Sequence, residues 1–357
     1  MSDAIGVEEQ VTPAEQLTGM HLPEGWSVVQ RANRSEDATG GQFSIGYIVE
    51  NEYGGRAFLK ALDFSRLLLE AADPLTAMKS VSALFEHERR LLAICKDNRL
   101  SRVATPITEG IAVVDEKTPG GRVNYFIFEL AAGDARAHIR GAGAADVVWK
   151  LRSLHHIATA LDQLHRHDTA HQDLKPSNVL DYGGRGVKLA DMGRASHPSL
   201  VAPHDDLPVA GDRTYAPLEL LYREIDTDWT RRRYGCDAYL LGGLVVSFFA
   251  NVSITAWVQS AMDESLRWYN WGDTYRSALP FVRNAYDERI SELSTILRAI
   301  SPKLEGELLP IITQLCEPDP LLRGDPKNRT SVVSQLSLTR YVSYFDRIAR
   351  RAELGLL

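Results

Sequence analysis

Three side chains in one short stretch have the types and spacing for chemistry. In His171-Gln172-Asp173-Leu174-Lys175-Pro176-Ser177-Asn178 an Asp is followed by a Lys two residues on and an Asn five residues on. A loop with this spacing can present all three to one small volume. Asp173 could accept a proton from an attacking hydroxyl, Lys175 could neutralise a phosphoryl group, and the Asn178 oxygen could hold a metal ion. Phosphoryl transfer needs these parts, because its catalysis is mostly positioning plus charge stabilisation. A further acid, Asp191, comes eighteen residues after Asp173. The interval reads as a hairpin: Val179–Asp181, a Tyr-Gly-Gly-Arg-Gly turn, then Val187–Ala190, which folds the second carboxylate back toward the first.

The stretch resembles the catalytic loop of the eukaryotic-type (Hanks-type) Ser/Thr protein kinases, H-R-D-x-K-P-x-N, with Gln172 where most members carry Arg. Asp191-Met192-Gly193 resembles their D-F-G, with a flexible Met in the hydrophobic slot of Phe. Gly211-Asp212-Arg213-Thr214-Tyr215-Ala216-Pro217-Leu218-Glu219 is similar to the close of their activation segment. There the Thr that reads the substrate hydroxyl becomes Asp212, or Thr214 under a shifted alignment. Cys236-Asp237-Ala238-Tyr239-Leu240-Leu241-Gly242 resembles the start of the central helix of the large lobe. Leu315-Cys316-Glu317-Pro318-Asp319-Pro320-Leu321-Leu322-Arg323 resembles the L-x-x-D-P-x-x-R that closes the fold. The resemblance implies that Asp237 bonds the catalytic-loop backbone and that Arg323 pairs with Glu219.

The elements that must position these groups follow from periodicity. Trp26–Gln30 reads as a strand. Phe43, Ile45, Tyr47 and Val49 alternate as in a half-buried strand. Arg56–Leu62 is a strand with Lys60 amid apolar residues, and it matches the kinase V-A-I-K strand. Leu84, Glu88, Leu91, Leu92 and Cys95 fall at helical spacing within 66–95. Glu88, with Glu86 as fallback, matches the acid that orients the strand Lys. Gly40-Gly41 is a weak match to the kinase glycine loop, in which Thr39, Gly41 and Ser44 take the glycine positions unless Gly46 is the third. Strands near Ile111–Val114 and Val123–Glu129 lead into Phe128–Asp134, which resembles the hinge whose backbone, at Glu129 and Ala131, holds adenine. Val148–His167 carries a helical apolar stripe, and 331–354 reads as a last amphipathic helix.

The fold class implied is α+β, a two-lobed protein-kinase fold with a small β-rich lobe bearing one regulatory helix and a larger, mainly helical lobe. The expected division is a flexible tail over 1–22, the small lobe over 23–130, the large lobe over 131–340, and a C-terminal helix over 341–357 packed on the large lobe. The activity implied is ATP- and Mg²⁺-dependent transfer of a γ-phosphoryl group to a Ser or Thr hydroxyl of a protein substrate. Asp173 and Lys175 are then catalytic, Lys60 and Glu88 hold the nucleotide, and Asn178 and Asp191 hold Mg²⁺. The alternative is a nucleotide-binding pseudokinase that signals by interaction. Because the Arg usual at position 172 clamps an activating phosphate, the amide of Gln172 implies activity without activation-segment phosphorylation.

Composition is compatible with this. The 357 residues are 44% hydrophobic and 24% charged, ordinary for a chain that buries a full core. A net charge of −7 and the lack of a basic block argue against nucleic acid as main partner. Cys95, Cys236 and Cys316 are too far apart for a zinc or disulfide framework, which suits a cytoplasmic setting. The uncharged run 238–262 is long enough to span a bilayer, but its Asn251, Gln259 and hydroxyl residues favour a buried core helix.

Overall fold

The computed structural model describes residues 11–32, 44–64, 73–117, 121–139, 145–332 and 334–357. It divides into two compact units, Met1–Glu86 with Thr105–Leu130, and His87–Ala104 with Ala131–Leu357. The first is built on a five-stranded antiparallel sheet; the second is mainly helical. The whole is α+β.

In the first unit the strands are β1 (Trp26–Arg31), β2 (Ser44–Asn51), β3 (Arg56–Leu62), β4 (Pro106–Val113) and β5 (Arg122–Glu129), in the order β1-β2-β3-β5-β4. Ile45, Tyr47 and Val49 of β2 alternate into the core with Ala57, Leu59 and Ala61 of β3 and Tyr125 and Ile127 of β5. That alternation puts Lys60 on the opposite face of β3, in register with Gly46 and Phe126. Residues 11–22 are not a tail. A short 3₁₀ turn at Pro13–Gln16 sends Ala14, Leu17 and Leu22 into the same core, and the Tyr47 hydroxyl donates to Ala14 O at 2.6 Å. Their apolar residues lack a helix or strand period, so the pattern hid a segment that caps the sheet.

The chain passes between units within helix α1 (Pro74–Asp97). Glu88, expected in the small lobe, therefore clusters with the second unit. Here β6 (Gly133–Asp134), α2 (Ala135–Ile139) and α3 (Ala145–His165) lead to the catalytic-loop stretch. The hairpin β7 (Val179–Asp181) and β8 (Val187–Leu189) follows, joined to β6 in a three-stranded sheet. After α4 (Leu218–Leu221), the apolar run forms two helices, not one: α5 (Trp229–Ala250) and α6 (Ile254–Ala261), bent by 79°. Asn251 ends α5 in the left-handed conformation at φ 54, and Ser253 Oγ caps α6 by accepting from Ala256 N. No single helix among the described residues is long and apolar enough to cross a membrane, though this bent pair passes by length and composition. Most of α5 is buried within the unit. Helices α7 (Tyr275–Ile300) and α8 (Pro302–Leu315) pack around it. The last helix, α9, covers Thr339–Glu353 and not 331–354. It lies on α3, with Arg152 bonded to Asp346 at 2.8 Å and Glu353 at 2.6 Å.

Two buried polar arrangements hold this unit. Arg323 grips Glu219 through Nη1 and Nη2, at 2.6 and 2.8 Å, with the two side chains 1% and 7% exposed. Removing one partner of a buried pair leaves a charge uncompensated. Arg323→Met is therefore expected to cost about 3–5 kcal/mol in urea unfolding. The second is His156 on α3, whose Nδ1 accepts from the Val187 N–H of β8 at 3.3 Å. Burial, with Arg102, His155 and Arg152 nearby, pushes its imidazole down to about 4. An unfolded His titrates near pH ~6.5. Between the two values the unfolded chain binds a proton that the folded chain refuses, so stability falls as pH drops from about 6.5 toward 4. His156→Asn, which retains an acceptor, should flatten that slope in thermal melts across the window.

Candidate active site

The catalytic-loop stretch is held from below by one carboxylate. Asp237, wholly buried on α5, accepts from His171 N at 2.8 Å and Gln172 N at 2.7 Å, and its Oδ2 lies 2.9 Å from His165 Nε2. Those bonds hold Gln172 at φ 62, a left-handed conformation that non-glycine residues rarely adopt. The strained residue immediately precedes Asp173. His171 adds a second tie, its Nε2 lying 3.1 Å from Ala190 O. Asn178 O accepts from Ala190 N at 2.9 Å, so the hairpin does return the chain beside the loop just before Asp191. Asp191 is itself left-handed, at φ 68.

Asp173, Lys175 and Asn178 converge as their spacing implied. Lys175 Nζ lies 3.3 Å from Asp173 Oδ2. Asn178 Nδ2 donates to Asp173 O at 2.7 Å and to Asp173 Oδ2 at 3.2 Å. With its nitrogen committed there, the Asn178 amide could offer its oxygen to a cation. Asp191 also acts on Asp173, raising its pKa by like charge. Burial is the larger cause of that rise, and Lys175 opposes it. Burial works to lower Lys175, but the Asp173 and Asp212 carboxylates outweigh it and raise its pKa.

Asp212, not Thr214, faces this group. Its Oδ2 is 3.4 Å from Lys175 Nζ, and its N–H donates to Asp173 Oδ1 at 2.8 Å. Thr214 is exposed. The approach requires glycine at 211, because a Cβ there would fall 2.6 Å from Asp173 Oδ1. Gly211 opens the activation-segment motif, but neither its type nor its spacing in the sequence signals this close approach.

Glu88 is buried, and its carboxylate flanks Gly193, whose N–H donates to Asp191 Oδ1 at 3.4 Å. A Cβ on Gly193 would lie 3.6 Å from Glu88 Oε2. Glu86, the fallback, ends the first unit. Lys60 and Glu129 lie on β3 and β5 of the first unit, and Ala131 opens the long segment of the second. Gly40 and Gly41 lie outside the described residues. Gly46 has a packing reason of its own, since a Cβ there would meet the Phe58 ring at 2.7 Å.

Among the described residues no three His, Cys, Asp or Glu side chains cluster as a metal site. Mg²⁺ needs no such cluster, being held by one or two carboxylates with phosphate oxygens and water. The oxygen-only donor set of Asn178 and Asp191 suits that ion.

The sequence model for the protein kinase domain matches residues 88–334, well over half of the chain. The chain belongs to the protein kinase domain family. Within that family it is similar to the cell division control protein 2 homolog 3 of Trypanosoma brucei brucei, 28% identical over 187 residues, covering 50% of this chain and 52% of that one. It is also similar to serine/threonine-protein kinase greatwall of Danio rerio, 34% identical over 97 residues, 23% of this chain and 11% of that one. Greatwall of Mus musculus is 39% identical over 70 residues, 19% of this chain and 8% of that protein. The chain thus spans about half or less of the length of these relatives. The kinase-domain match includes the catalytic loop, Asp191, Asp237 and Arg323 and begins at Glu88.

If Asp237 anchors the loop, Asp237→Asn should cost about 1.5–3 kcal/mol, the range for a hydrogen bond to a charged group. Chemical denaturation reads the loss, and amide exchange at His171 and Gln172 should rise with it.

Proposed function

We propose that this chain is an ATP- and Mg²⁺-dependent serine/threonine protein kinase. The observation that supports it most is that Lys175 and Asn178 both converge on Asp173 within hydrogen-bonding distance. Asp173 would orient a Ser or Thr hydroxyl and take its proton. A carboxylate whose pKa is raised by burial is a better match to that task than an exposed one. Lys175 would stabilise the phosphoryl group in transfer, and a Lys at this position is the Ser/Thr-kinase feature. Lys60 would hold the α- and β-phosphates, and the backbone at Glu129 and Ala131 would take the adenine. Asn178 and Asp191 would hold Mg²⁺, which when bound neutralises charge on the phosphates. The substrate would be a protein hydroxyl. A reducing, cytoplasmic setting suits the buried thiols, two of which, Cys95 and Cys316, burial pushes up to about 12.

One observation favours a second reading, the nucleotide-binding pseudokinase. Asp212 puts a carboxylate 3.4 Å from Lys175 where the family has an uncharged Thr. That charge competes with a phosphoryl group for the ammonium. Phosphate transfer from labelled ATP with Mg²⁺ separates the readings, with a generic basic protein substrate and autophosphorylation both scored. Under the kinase reading, Asp173→Asn lowers kcat by about 10²–10⁴-fold. Nucleotide binding without transfer by the wild type would instead establish the pseudokinase.

A further inference from the structure

Arg233 lies in the second turn of α5 and is only 3% exposed. Its guanidinium is answered from two sides: Nη1 donates to Gln172 Oε1, and Nη2 donates to Asp205 Oδ1 at 2.7 Å. The circuit then closes on itself. Gln172 Nε2 donates to Ser196 Oγ at 2.8 Å, and the Ser196 hydroxyl donates to Asp205 Oδ1 at 3.4 Å. Each of these ring N–H and O–H groups donates to an oxygen, while Arg233 Nε is buried without a hydrogen-bond partner among the described residues.

Further bonds tie the ring to the backbone. The second hydrogen of Gln172 Nε2 goes to Arg194 O at 3.1 Å, and Asp205 Oδ2 accepts from Ala202 N at 2.8 Å. Arg232 Nη2 donates to the carbonyls of Asp205 and Leu207 at 3.1 and 2.8 Å. Three stretches remote in sequence are thereby joined: the residue before Asp173, the start of α5, and residues 194–207. A few residues on, the same segment delivers Asp212 N to Asp173.

This explains the amide at position 172. An Arg there would aim a second buried guanidinium at Arg233. A Gln accepts from Arg233 with its oxygen and donates onward with its nitrogen. The cation that faces the segment comes from α5 instead, and its anion is a residue of the segment itself.

We propose that Arg233 and Asp205, closed into a ring with Gln172 and Ser196, are positioning residues that hold the 194–212 segment against the catalytic loop without an added phosphate. The proposal rests on the kinase reading above for its kinetic consequence, but its structural claim is readable without activity.

The test uses the full chain co-expressed with a phosphatase and shown by intact mass to carry no phosphate. Initial rates on a generic basic protein and amide hydrogen exchange across 194–212 are measured for wild type, Asp205→Asn, Asp205→Glu and Arg233→Lys. The unphosphorylated wild type should be active with a protected segment. Asp205→Asn should speed exchange over 196–207 and lower kcat by about 10-fold or more, as for loss of a hydrogen bond to a charged group. The KM for ATP should stay within about twofold, because the ring acts on the segment and not on the nucleotide. Asp205→Glu should restore most of the rate, whereas Arg233→Lys, which keeps charge but loses the two-pronged geometry, should not. Unchanged exchange in both Asp205→Asn and Arg233→Lys would overturn the proposal, as would a wild-type segment that becomes protected only on phosphorylation. If wild type transfers no phosphate at all, the kinase reading falls, and the exchange data alone judge the ring.

Discussion

The second unit depends on a buried carboxylate in the middle of α5. Asp237 has no exposed surface, and a charge so placed is tolerable only when hydrogen-bonded from several sides. Its partners are the backbone N–H groups of His171 and Gln172 together with the His165 ring. Satisfying one charge thereby specifies the path of the chain through the left-handed Gln172, and with it the direction in which Asp173 points. The strain at Gln172 is a local cost that the rigid helix beneath it offsets. Everything assembled around Asp173, including the bonds from Asn178 and Asp212, starts from that anchor.

Around the anchor, charges are placed in opposed pairs rather than singly. Lys175 stands between Asp173 and Asp212, Arg323 grips Glu219, and Arg233 grips Asp205. Burial raises the stakes for each, because a low-dielectric surrounding strengthens a satisfied pair and penalises a broken one. The consequence is a segment between Asp191 and Glu219 pinned at both ends and in the middle. Gln172 and Asp212 are two of this chain's departures from the usual kinase pattern. Each sits on a side chain that belongs to one of these pairs or rings, so the departures are compensated locally.

Much of this was legible in the sequence because the site is built from short-range spacing. A loop that offers Asp, Lys and Asn at offsets of two and five, followed by a two-stranded hairpin and another acid, has few ways to fold that separate those groups. The pairing of Glu219 with Arg323 and the contact of Asp237 with the loop followed from resemblance and are present. What the pattern misjudged has a physical reason in each case. The 11–22 segment packs through Ala14, Leu17 and Leu22, which follow neither a two-residue nor a 3.6-residue period. The apolar run over 238–262 has no charge to mark its break, yet a left-handed Asn251 and the Ser253 cap turn it through 79°.

By itself the sequence determined that Lys175 and Asn178 converge on Asp173, since that rests on short fixed spacings, while the resemblance of its motifs gave the α+β class and the family. Only the tertiary structure decided between Asp212 and Thr214, because that choice turns on whether Gly211 lets the backbone approach the Asp173 carboxylate. It alone joined Gln172, Ser196, Asp205 and Arg233, four residues with no common spacing. Such a ring is written in three dimensions: each member is an ordinary polar residue in its own stretch, and its partner is defined only once α5 has brought the stretches together.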